Sequence, residues 1–186
     1  SSIMRTSDMV YQNLPSVNDV PEMAYYKSPD SLQSIVSNWA CSPHVITVGN
    51  YVNKDSYLDF NGNTQVLSQT SNEIYQGSSV GPARTGLIKP DLCGPGSTTL
   101  TAAPLSMLND WKTSAPQVVA PDGLHRTANG TSMAAPGVAR IVALMYQKCA
   151  QTTNESIMAT LHSSAKKDTY TQNIPNPVWG YGKADA

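Results

Sequence analysis

The chain carries little charge and no excess of either sign. Its 186 residues include 12 Lys+Arg against 13 Asp+Glu, a formal net charge of −1. A duplex-binding surface needs surplus basic residues to neutralise phosphates, so nucleic acid is not an expected partner. Long apolar runs are also missing. The longest, Ile141 to Tyr146, falls far short of the roughly 20 residues that span a bilayer. Cysteine is sparse: Cys41, Cys93 and Cys149 are far apart, with no CxxC spacing and no nearby histidine to suggest zinc. Buried free thiols, or one disulfide with a thiol left over, both fit that count. No D-x-D-x-D-G loop marks a calcium site, and Asp55, Asp59 and Asp91 read as turn or strand-end residues. The chain opens Ser1-Ser2-Ile3-Met4, without an initiator Met, an apolar signal core or a basic targeting segment. That start reads as an excised piece, a processed product or a remnant of tag removal.

What is present is enough apolar sequence, 40% of residues, to bury a core in a chain of this length. Residues 1–40 are polar, with Pro15, Pro21 and Pro29 spaced through them. They read as loops with a short helix from Ser31 to Trp39 capped by Ser31. His44-Val-Ile-Thr-Val-Gly49 is a β-branched run stopped by glycine, the pattern of a strand buried on both faces of a parallel sheet. Asn61-Gly62 predicts a hairpin turn between Tyr57–Phe60 and Thr64–Leu67. Pro90 requires that any strand through Ile88–Gly96 be short, at an edge or irregular. Residues 97–128 show little period. From Ser132 to Lys148 only Arg140 is charged before the end, which predicts a helix apolar nearly all round and therefore central and buried. A second helix is expected over Asn154 to Ser164. A buried strand, irregular loops and a buried helix give an α/β layered fold.

The chemistry concentrates in Asn129-Gly-Thr-Ser-Met-Ala-Ala-Pro136, a polar, glycine-containing loop running straight into the helix. Proline is tolerated near the first turn, where the earliest N–H groups have no helical partners, so the helix starts close to Ser132. A serine there has outward-pointing backbone N–H groups beside it at the positive end of the helix dipole. That suits a nucleophile that generates an oxyanion next to itself. A serine at a helix start is otherwise an ordinary N-cap.

The string Asn129–Pro136 followed by Val138-Ala139 closely resembles the nucleophile motif of the subtilisin-like serine proteases, the subtilases. Val45-Ile-Thr-Val-Gly49, Ser78-Ser-Val-Gly-Pro82, Lys89-Pro-Asp91 with Gly94-Pro-Gly96, and Trp179-Gly-Tyr-Gly182 with Asp185-Ala186 resemble further family segments in the same order. The resemblance implies a subtilisin-like three-layer α/β fold with a mostly parallel sheet, of which residues 41–186 are the C-terminal part. It makes Ser132 the nucleophile and its N–H an oxyanion donor. Thr131 would support the oxyanion loop, Asn129 and Gly130 would shape it, and Met133 would lie against the attacking oxygen. Two positions depart from the motif: Gly137, where many members have His, and Arg140, where most have Gly. Arg140 then requires altered packing, solvent or a carboxylate.

Attack by serine also needs a base and an acid that orients it. The family's Asp and His motifs, and its A-G-N oxyanion asparagine, are not found. None of Asn13, Asn18 and Asn38 stands in that context. His44 reads as structural at a strand start, His125 as a surface loop residue with a lesser reading at the substrate edge, and His162 as exposed. The expectation is therefore the nucleophile-bearing half of a serine endopeptidase acting on polypeptides, inactive alone. The Asp and His would come from an upstream half, with that half or a homo-oligomer covering an open apolar face. The alternative is a non-catalytic subtilase-like scaffold. An esterase is disfavoured, since Gly130-Thr-Ser132-Met-Ala134 is not a G-x-S-x-G elbow. By resemblance no cofactor is required, Ca2+ belongs to the intact enzyme at most, and the setting is secreted or cell-envelope.

Overall fold

The computed structural model describes residues 15–25 and 36–185. The chain divides into two compact units, Ser1–Gln33 and Ser34–Ala186. In the described part of the first, a 3-10 helix spans Pro21–Tyr25 with no buried residue, and Ser16 Oγ donates to Asp19 at 2.6 Å in the preceding turn. The cap predicted at Ser31 lies outside the described residues. At the end of that predicted helix there is only a 3-10 turn, Asn38–Cys41.

The second unit is built around a parallel pair of strands, β1 (Val48–Val52) and β4 (Leu92–Ser97). Their register runs from Val48↔Leu92 to Tyr51↔Pro95 and then slips by one residue. The slip falls at Pro95, which has no N–H to give to a ladder. On its other side β4 is bonded by the closing tail: Cys93 N–H donates to Gly182 O and Ala184 N–H to Cys93 O, each at 2.8 Å. Between these strands in sequence lies the predicted hairpin, β2 (Ser56–Leu58) with β3 (Thr64–Val66). Its turn is closed by the buried Asp59, whose Oδ1 accepts from the Asn61 and Asn63 N–H groups at 2.9 Å each. β5 (Thr99–Thr101) pairs antiparallel with β6 (Arg126–Ala128). Between them lies α1 (Leu105–Ser114). No periodicity announces α1, because Leu108 alone of its residues is buried and no apolar stripe is needed to seat it.

Two longer helices pack on β4. They are α2 (Thr131–Lys148) and α3 (Asn154–Ser164), the second capped by Thr153, whose side chain accepts from Ser156 N–H at 3.2 Å. Leu92, Val138, Ile157 and Leu161 form the core, with Ile46, Val48, Ile141, Val142 and Met145 packed around it. The structure corrects three readings. α2 is not buried all round: only Ala134 and Val138 are enclosed, and Leu144 is 52% exposed. Its inner face meets β1 and β4, while among the described residues nothing covers its outer face. His44 does not begin a buried strand. The ladder starts at Val48, and the exposed His44 ring lies 3.9 Å from Glu155. His162 is not exposed, because its ring stacks on Tyr181 with centroids 3.8 Å apart and planes at 4°.

The thiols are free: Cys93 is buried, Cys41 half-buried and Cys149 exposed. Burial pushes the Cys93 thiol up to about 12, so it is inert as a nucleophile. Trp179 is buried.

Leu161→Ala, which empties the contact among β4, α2 and α3, is expected to cost about 2–5 kcal/mol. Leu100→Ala, at a 58% exposed position, should stay within about 0.5 kcal/mol. Urea unfolding of both variants checks the contrast.

Candidate functional site

The loop from Asn129 to Met133 is held from below by β4. Gly130 N–H donates to Gly96 O at 2.9 Å, and Gly130 O accepts from Met133 N–H at 2.9 Å to begin α2. Gly130 has φ +125°, in the region that favours glycine. Asn129 Oδ1 accepts from Thr98 N–H at 2.7 Å, and Thr98, itself at φ +57°, donates its hydroxyl to Lys54 O at 2.6 Å. The loop is thus pinned to the β4–β5 junction on one side and to the first turn of α2 on the other.

Close approach of helix to strand depends on missing side chains. A Cβ on Gly96 would stand 2.6 Å from Gly130 O and 2.9 Å from the Ala134 side chain, and one on Gly94 3.1 Å from Ala134 O. Beneath this contact lies a residue that sequence reasoning missed. Asn50, in β1, is fully buried; its N–H donates to Ser78 Oγ at 2.9 Å and its Nδ2 to Ser97 Oγ at 3.3 Å. Its Oδ1 is buried with no partner. The available signal was a polar residue closing an otherwise apolar strand run.

Ser132 is the second residue of α2 and is exposed. Among the described residues its Oγ makes no hydrogen bond, and neither its N–H nor that of Thr131 has a partner. Free N–H groups at a helix start, beside an uncommitted hydroxyl, can bind negative charge developing next to that hydroxyl. Thr131, the residue before the serine, lines a half-open cleft of about 150 Å3 with Ala40, Thr47, Gly49, Ser79 and Pro90; Ser132 itself is not part of its wall. Met133 is half-buried. Pro136 stands inside the helix, where its lack of an N–H withholds the helical bond from the Ser132 carbonyl. Arg140 is exposed, and Gly137 has open space where a Cβ would be. Both departures from the motif therefore point to solvent.

None of the three histidines hydrogen-bonds to Ser132. His125 Nδ1 lies 2.6 Å from Asp122 Oδ2, both about half exposed. Hydrogen bonds from Leu124 N–H, and then from His125, hold the Asp122 carboxyl below its ordinary value. His162 faces Asp91, 3.5 Å away. Another cavity, about 610 Å3, shares no lining residue with the 129–133 loop. Of its lining amides, Gln69 is engaged with Ile74 O and Gln76 N–H, and Asn176 with Thr171 O and Trp179 N–H. Among the described residues no three His, Cys, Asp or Glu side chains converge.

The sequence model of the subtilase family matches residues 18–182. Among solved structures, the CspB protease of Clostridium perfringens is similar, with 28% identity and a TM-score of 0.50 over 76% of this chain. The match covers 26% of that protease chain, so the present sequence spans about a quarter of its length. No curated protein matches.

Gly96→Ala is expected to cost roughly 1–3 kcal/mol by overpacking against backbone. Gly137→Ala, in open space on α2, should stabilise by about 0.5–1 kcal/mol. Opposite shifts of the urea midpoint are the expected result.

Proposed function

The chain belongs to the subtilase family, and we propose that it bears the nucleophile, Ser132, of a serine endopeptidase. The observation that carries this reading is the exposed, uncommitted Ser132 hydroxyl at the start of α2, flanked by unpaired N–H groups. In the proposed reaction Ser132 Oγ attacks a peptide carbonyl as a histidine takes its proton. The negative charge on the carbonyl oxygen is met by the Ser132 N–H, with a second donor from an asparagine. The amine leaves with the proton from the histidine, and water then releases the acyl group from Ser132. One such donor contributes about 2.7–4 kcal/mol of transition-state stabilisation. Asn129 and Gly130 shape the loop, Thr131 supports it, and Met133 lies beside the attacking oxygen.

The histidine, its aspartate partner and the second donor come from a segment outside this sequence, which alone does not turn over peptides. None of these roles falls to His44, His125 or His162: none hydrogen-bonds to Ser132, and they lie instead beside Glu155, Asp122 and Asp91 respectively. The substrate is a polypeptide, and the setting is secreted or cell-envelope; no described helix is long and apolar enough to cross a membrane. The family's Ca2+, where used, would be bound by that other segment. A non-catalytic scaffold is the second reading, favoured by the lack of a base beside Ser132 and opposed by the uncommitted nucleophile loop.

Fluorophosphonate labelling separates the two. Ser132 is expected to label in the full-length gene product, not in this chain alone, and not in Ser132→Ala. Absence of labelling in both forms would establish the scaffold. Peroxide is expected to slow peptide turnover by the full-length product as Met133 becomes the sulfoxide, which places a polar oxygen beside the nucleophile. Complete Met133 conversion by peptide mapping with unchanged turnover would remove Met133 from the site.

A further inference from the structure

A second cluster of ionisable groups lies in the Lys89–Asp91 passage, which the proposed reaction does not use. The Lys89 and Asp91 side chains are only 2% and 5% exposed. Lys89 Nζ donates to Asp91 Oδ2 at 2.8 Å and to Val45 O at 2.7 Å, and the same Oδ2 accepts from Thr47 N–H at 2.7 Å. The other oxygen, Oδ1, lies 3.5 Å from His162 Nε2. That nitrogen is buried and makes no hydrogen bond. The His162 ring lies flat on Tyr181, whose N–H donates to Asp91 O at 2.8 Å. A cavity of about 400 Å3 borders the cluster, with apolar walls from Pro43, Leu87 and Met158. The ionisable groups facing His162 are Asp91 and Lys89 from the segment before β4, and Tyr181 from the tail.

We propose that His162 is an acid-sensitive latch: its neutral ring fastens α3 and the closing tail to the Asp91 segment, and protonation loosens them. A neutral imidazole suits this place. It stacks on Tyr181, adds apolar contact, and leaves only one weak polar group unpaired. Protonation puts a second cation beside a carboxylate already paired with Lys89, in a pocket with apolar walls. Lys89–Asp91 is neutral as a pair, so the protonated cluster carries a net positive charge at a place only partly open to water, the His162 side chain being 22% exposed. A new bond to Asp91 Oδ1 would offset part of that cost, but at 3.5 Å it is not formed, and shortening it requires α3 or the tail to move.

The balance favours the neutral ring. Burial pushes the imidazole below its ordinary value; Asp91 opposes this and Lys89 adds to it. A histidine whose folded value is lowered supports folding fully above its unfolded value of about 6.5. That support is lost as pH falls through the window just below it, because the unfolded chain takes up the proton first. Carboxylates such as Asp168 and Asp122 are held below their usual range and titrate in a lower window. What loosens is the segment from 154 to 185, whose Lys183 N–H and carbonyl both bond to Lys166.

The test is a proton-NMR titration of the His162 ring in this chain, with thermal unfolding of wild type and His162→Gln at pH 7.5 and 5.0. The ring is expected to titrate below a histidine peptide in the same buffer. The wild-type midpoint should fall by roughly 2–4 °C more than that of His162→Gln, the shift of a modest loss in a domain of this size. A ring titrating at or above the peptide, or equal falls in both proteins, overturns the latch. If His162→Gln does not fold, wild-type hydrogen exchange at the two pH values, corrected for intrinsic rates, takes its place. Protection lost selectively over 154–185 relative to the β2–β3 hairpin supports the latch; uniform or absent loss overturns it.

Discussion

Asp91 is the point on which the second unit turns. Its carboxylate is buried and receives Lys89 and the Thr47 N–H, while its own N–H donates to Thr47 O and its carbonyl accepts from Tyr181 N–H. One residue thereby fixes where the 45–47 run meets β4, where β4 begins and where the tail crosses it. Removing one partner from a buried ion pair costs about 3–5 kcal/mol, because the other charge is left uncompensated. Replacing both by apolar groups would remove that penalty but also every backbone bond the carboxylate directs. The pair is a registering device more than a source of net stability. It explains how a parallel ladder as short as β1–β4 keeps one alignment.

From that anchored start, β4 runs directly under the nucleophile loop. Gly94 and Gly96 remove the side chains that would hold α2 away, and Gly96 O receives the Gly130 N–H. The position of Ser132 is therefore set by backbone: a glycine carbonyl below, an asparagine side chain bonded to Thr98 at the side, and a helix start above. Backbone placement of this kind leaves the serine hydroxyl and the nearby N–H groups with no structural duty. An N-cap serine would have spent its oxygen on the N–H groups of the first turn. Here Gly130 occupies the cap position, and Ser132 is inside the helix with its oxygen free.

Local signals were legible where one residue type dictates a conformation. Asn61-Gly62 gave the hairpin, the 154–164 pattern gave α3, and the 129–136 string gave the start of α2. Family membership was legible for the same reason, since the glycines and prolines of those segments answer to backbone geometry. The misreadings share another cause. An apolar run says that burial is wanted, not whether the covering surface lies in the same chain, so α2 read as central although its outer face is open. α1 was invisible because it buries only Leu108. The environments of His44 and His162 depend on Glu155 and Tyr181, residues distant in sequence that no local pattern connects to them.

The open face and the unassisted serine are two aspects of one arrangement. Ser132, Ala135, Ala139 and Val142 are spaced i, i+3, i+7 and i+10 along α2, and so lie along one side of the helix. The last three line an apolar cavity of about 320 Å3 with Ile46 and Val48. A segment packed into that groove would bury the apolar stripe and, at the stripe's end, arrive at Ser132. The free energy of covering the groove, about 25 cal/mol per Å2 of apolar area, would then also hold a base against the hydroxyl. Under the proposed function, assembly of the hydrophobic layer and assembly of the catalytic group are the same event. This accounts for a nucleophile loop that is fully formed by its own backbone while the serine it presents has no proton acceptor among the described residues.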